Sequence, residues 1–70
     1  MADLDRVADL EALSTHFASA CNQLVDLSLR LAQEQPSESR GWTRWAQLVE
    51  QKRDLAQLAL EREIDIELRR

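Results

Sequence analysis

Cysteine occurs once, at Cys21, so no disulfide within the chain can staple it. Histidine also occurs once, at His16, which leaves too few His and Cys ligands for a metal site. The only glycine is Gly41, so there is no glycine-rich loop to cradle a phosphate. The only proline is Pro36, and little else interrupts a helix. No apolar run approaches the roughly 20 residues of a membrane span. Nine Lys and Arg face 13 acids, for a net charge of −4, and the bases are not clustered. Residues 1–35 hold six acids against Arg6 and Arg30, and residues 36–70 hold seven acids against seven bases. That distribution argues against a nucleic-acid surface, which needs Lys and Arg gathered on one face.

Seventy residues make one small domain, below the length at which a single core gives a comfortable stability margin. With a disulfide excluded and a metal not expected, a partner is the remaining source of stability. The opening Met1-Ala2-Asp3-Leu4-Asp5 is acidic where a secretory or transit signal is basic, which gives cytoplasmic location as the expectation.

The pattern that is present is helical. Asp3 or Asp5 caps the start of a first helix over about residues 4–34, a rod of about 45 Å. Gln35-Pro36-Ser37-Glu38-Ser39-Arg40-Gly41 forms the only breaker cluster, with Ser37 or Ser39 as the N-cap of the next helix and Gly41 either in the loop or in the first turn. A second helix then covers about residues 42–68. A short link between two long helices implies an all-α fold, an antiparallel two-helix hairpin of coiled-coil type in a single domain over 1–70.

Leu10, Leu13, Phe17, Ala20, Leu24, Leu27 and Leu31 repeat at alternating spacings of three and four, the signature of a coiled-coil seam. Trp45, Val49, Lys52, Ala56, Ala59, Glu63 and Ile66 answer them on the second helix, with Leu48 and Leu55 widening the stripe. The expectation is that these two seams meet as the hairpin core, Leu31 opposite Trp45, Leu27 opposite Val49 and Leu10 opposite Ile66. Lys52 and Glu63 are flaws in that seam.

A second stripe, Val7, Ala18, Cys21, Val25, Leu29 and Ala32, is centred about 120° from the first, and Trp42, Ala46, Leu60 and Ile64 accompany it on helix 2. The apolar arc of helix 1 is about 200° wide, more than one contact covers. The second stripe, with Trp42 as a candidate aromatic anchor, is therefore expected to be the partner interface, and to drive self-association when no partner is present.

No constellation of catalytic residues accompanies these stripes. His16 lies on the polar side of helix 1, and Cys21 reads as a small apolar side chain without a neighbouring base to activate it. The carboxylate pairs Asp5 with Asp9 and Glu61 with Asp65 fit solvated faces near helix ends. The expectation is a non-enzyme without cofactor, metal, nucleic-acid or membrane partner.

The acidic start Leu4-Asp5-Arg6-Val7-Ala8-Asp9-Leu10, the long leucine-rich helix, Pro36 in the turn, and the Gln, Leu and Ala pattern at Trp45-Ala46-Gln47-Leu48 and Leu55-Ala56-Gln57-Leu58-Ala59 have a counterpart. The chain resembles the small E-type co-chaperones of type III secretion needle subunits, the EscE/YscE/PscE/SsaE-like family, over nearly its whole length. The resemblance implies a helical hairpin that binds a TPR-like chaperone and, through it, helps to keep the needle subunit monomeric in the cytoplasm before export. A homodimeric four-helix bundle, or a small inhibitor of a regulator, stays open as another use of the same hairpin.

Overall fold

The computed structural model describes residues 2–70. Helix α1 runs Leu4–Glu34, a 3₁₀ turn covers Pro36–Glu38, and helix α2 runs Ser39–Leu68. The two helices pack antiparallel against each other, and no strand occurs among the described residues. The Cα trace is a slab, 56 Å long, 15 Å wide and 7 Å thick.

The start of α1 is set by Asp3, whose carboxylate accepts a hydrogen bond from the Arg6 amide at 3.1 Å. This satisfies one of the donors that a helix start leaves open. At the other end Gln35 has a non-helical backbone, as expected before a proline, while its amide still reaches the Leu31 carbonyl at 2.9 Å. Helix α2 starts three residues earlier than expected, because the 3₁₀ turn feeds directly into it. The Glu38 amide donates to the Gln35 carbonyl at 2.9 Å, and the Ser39 amide donates to Pro36. Neither Ser37 nor Ser39 caps α2; Glu38 holds the cap position without a side-chain hydrogen bond. Gly41 thus lies in the first turn of α2, with a negative φ and open space where a Cβ would sit.

The line along which the helices meet is made of small and polar residues. Val7, Cys21, Val25 and Ser28 of α1 and Ala46, Val49 and Glu67 of α2 are buried. Cys21, Val25, Ala46 and Val49 form one cluster, and half-buried Phe17 packs against it. Ser28 turns its hydroxyl back to the Leu24 carbonyl at 2.7 Å, so it enters the interior satisfied.

The line between the helices is therefore not the expected leucine seam. Leu13, Ala20, Leu24, Leu27, Trp45, Leu48, Leu55, Ala59 and Ile66, expected in the hairpin core, are exposed. Of that set Val49 is buried, and Leu10, Phe17 and Leu31 are half-buried. Val7, Cys21 and Val25, expected on a partner surface, lie in the interior, with Ala18, Ala32, Trp42, Leu60 and Ile64 half-buried beside them; Leu29 is exposed. Two physical reasons favour this arrangement. Small side chains let helix axes approach closely and interlock, and rotation away from the leucine seam leaves Lys52 and Glu63 exposed to water.

Polar bonds across the hairpin fix its register. Arg53 donates to Asn22 Oδ1 at 2.7 Å, and Gln57 Nε2 donates to the Ser14 carbonyl and hydroxyl at 3.4 and 3.3 Å. At the open end, Glu67, only 5% exposed, forms ion pairs with Arg6 at 3.4 Å and Arg70 at 3.6 Å. Periodicity of apolar residues could not reveal these pairs, which set residue 20 level with residue 54 near the middle of the slab.

Candidate partner-binding face

Helical geometry sorts the exposed residues onto the two broad faces. On α1, Leu10, Phe17, Leu24 and Leu31, with Leu13, Ala20 and Leu27, turn to one side of the interior line through Val7, Ser14, Cys21 and Ser28. On α2, Trp45, Lys52, Ala59 and Ile66, with Leu48, Leu55 and Arg62, turn to one side of Ala46, Arg53, Leu60 and Glu67. A two-fold rotation normal to the slab relates antiparallel helices and keeps the faces in place, so both sets share the same broad face. The opposite face carries Thr15, Asn22, Asp26, Gln47, Glu50, Asp54 and Glu61, all exposed. One side of the slab is therefore mainly apolar and the other mainly polar, though exposed Leu29 lies in line with Asn22 and exposed Leu68 in line with Gln47 and Glu61.

The apolar face is continuous and strongly exposed: Leu55 is 67% accessible, Leu13 55% and Trp45 49%. Three charged residues interrupt this face: Glu63, and Lys52 and Arg62, the last two long enough to lay their methylenes along apolar neighbours while lifting the charge away. Flanking charges line the two long edges, Asp9 and Arg30 on α1, Arg44 and Asp65 on α2. At the turn end, Glu38, Gly41, Trp42 and Trp45 line a shallow groove of about 430 Å³. Trp42 is held in place by its indole N–H, which donates to Gln35 Oε1 at 3.1 Å. The groove gives the face an aromatic end into which an apolar side chain fits.

Chemically this arrangement offers exposed apolar surface for a contact. His16 is exposed, and Cys21 is buried as a free thiol in the apolar cluster. Among the described residues, no group of three or more His, Cys, Asp or Glu is placed to hold a metal ion. No helix of the described residues is long and apolar enough to cross a membrane.

The apolar seam was visible in the sequence, but its outward direction was not. The residues that sequence reasoning missed are Ser14, Asn22, Ser28, Arg53, Gln57 and Glu67, which occupy or bridge the interior line. Lys52 and Glu63 on the leucine seam were the available signal. Comparison with family models, with curated proteins and with solved structures finds no match for this chain.

Proposed function

We propose that the chain is a small cytoplasmic co-chaperone of a type III secretion system, which binds a TPR-like chaperone and so helps to keep the needle subunit monomeric before export. The observation that carries this reading is the two-sided slab, whose apolar face leaves Leu13, Leu24, Leu27, Trp45, Leu48 and Leu55 exposed. An area of that size on a small protein marks an interaction surface. The resemblance in sequence to the needle co-chaperones supplies the partner class. A TPR-like chaperone presents apolar helical grooves, and a leucine-rich helical face lies in such a groove through side chains at i, i+3, i+4 and i+7.

Docking through this face assigns contact to Leu24, Leu27 and Leu48, while Val25 and Cys21 hold the hairpin. Co-expression with the TPR-like chaperone encoded nearest to the chain tests the reading. The chaperone is expected to co-purify with the wild type and with Asp26→Ala on the polar face, and to be lost with Leu24→Glu. A chain that is as soluble and stable alone, with no chaperone co-purifying, contradicts it.

A further inference from the structure

We propose that the groove at the turn end of the apolar face is a receptor for one arginine side chain of a partner protein, with the guanidinium stacked on Trp42 and Trp45 and paired with Glu38. Which protein supplies that arginine rests on the docking proposed above; the receptor itself rests on the groove.

Glu38, Gly41, Trp42 and Trp45 lie three and four residues apart, so they share one side of the 3₁₀ turn and the first turns of α2. Their groove, about 430 Å³, has two aromatic walls and one carboxylate. The Trp42 indole N–H is already given to Gln35, so what this ring offers a ligand is its face. Exposed Trp45 presents a second ring. Glu38 is exposed, makes no cap hydrogen bond to α2 and joins no ion pair among the described residues. Glycine is a weak helix former, and the packing of the chain does not require one at Gly41, since a Cβ there meets no atom within 4 Å. Its missing side chain leaves the groove open.

The chemistry of the lining selects the occupant. Indole faces attract a cation, and an unpaired carboxylate beside them attracts the same charge. An apolar side chain fits the walls, but it strips water from Glu38 without pairing it. Arginine answers every part of the groove. Its methylenes lie along the rings, its planar guanidinium stacks on indole, and its fork of N–H donors meets a carboxylate at two points, which the compact lysine ammonium does not match. Among the described residues no cation lines the groove. Arg40 and Arg44 line a separate groove with Thr43 and Gln47, and Lys52 lies seven residues beyond Trp45, about 10 Å along the helix.

Trp42 and Trp45 are the only tryptophans and there is no tyrosine, so the intrinsic fluorescence of the dilute chain reports the groove directly. The probes are N-acetyl-arginine amide and its lysine, citrulline and norleucine counterparts, titrated at constant ionic strength. The arginine compound is expected to give a saturable change with a midpoint on the order of 10 mM, and citrulline, of the same shape without the charge, to bind about fivefold more weakly. Glu38→Gln is expected to weaken the arginine compound about threefold. Gly41→Leu, which fills the groove while favouring the helix, is expected to abolish the saturable change, with circular dichroism confirming that both variants stay helical. Norleucine binding as tightly as arginine overturns the proposal in favour of an apolar occupant, and lysine binding as tightly overturns the choice of arginine. No saturable response to the arginine compound, or one that survives Gly41→Leu or ignores Glu38→Gln, overturns the receptor. Capture of the TPR-like chaperone by co-expression is a separate measurement, so failure of that reading and failure of the receptor are distinguishable.

Discussion

Leu24 and Val25 adjoin in the chain, yet Leu24 is 45% exposed and Val25 is 7% exposed. They stand for two surfaces of the same helix. The inner line is assembled from Val7, Cys21, Val25, Ser28, Ala46 and Val49, side chains of modest area that allow the helices to approach closely. The outer face is assembled from leucines and Trp45, which offer far more apolar area than the inner line uses. A valine removed from water contributes about 1.5–3 kcal/mol, so the inner cluster supplies only part of what the apolar side chains of this chain can contribute. On the proposed docking, the larger hydrophobic free energy is held in reserve on the outside, to be released when the partner covers it. That proposal divides helix pairing and partner binding between neighbouring residues, which substitutions can separate.

Val25→Glu should have the largest effect, about 3–5 kcal/mol of destabilisation, because it buries an unpaired charge between the helices. Loss of the far-ultraviolet helical signal would register it. Leu24→Glu, one residue away, should leave that signal in place while removing association; equal loss of helix in both variants would erase the distinction between the surfaces. Phe17 sits at the boundary, half-buried against the inner cluster. Phe17→Ala is expected to cost about 1–3 kcal/mol, below the usual value for a fully buried ring, and urea denaturation measures it. Glu67→Ala at the open end should cost about 1 kcal/mol by removing the ion-pair partner of Arg6 and Arg70, whose exposed guanidinium groups are screened by water, seen as faster amide hydrogen exchange near both chain ends. Asp3→Ala should have no larger an effect, about 1 kcal/mol from loss of the cap, detected as a lower melting temperature with association unchanged.

The all-α hairpin, both long helices and the turn at Pro36 were legible in the sequence, because long apolar periodicity, an acidic cap and a single breaker cluster are local signals. The extent of apolar surface was legible too, since an arc of about 200° exceeds what one neighbouring helix covers. The direction of each stripe was not. Leucine ranks above alanine, serine and cysteine in any reading by hydrophobicity, so the seam from Leu10 to Leu31 reads as core. Close packing between two helices instead favours residues such as Ala46 and Ser28, and their preference depends on geometry across the gap. The pairs Arg53 with Asn22 and Gln57 with Ser14 join residues far apart in the chain, where no spacing rule reaches. Lys52 and Glu63 on the leucine seam carried the one local hint, since a buried seam rarely accepts both.

Cysteine cross-linking tests most directly which stripe lies inside. In a Cys21→Ala background, Val25→Cys with Val49→Cys is expected to form a disulfide within one chain on mild oxidation, because both positions belong to the same buried cluster between the helices. Leu27→Cys with Val49→Cys, the pair that a leucine-lined interior would bring together, should stay reduced within the chain. Efficient closure of the Leu27 pair, with none at Val25, would contradict the assignment of the small-residue line to the interior and the leucine face to the partner.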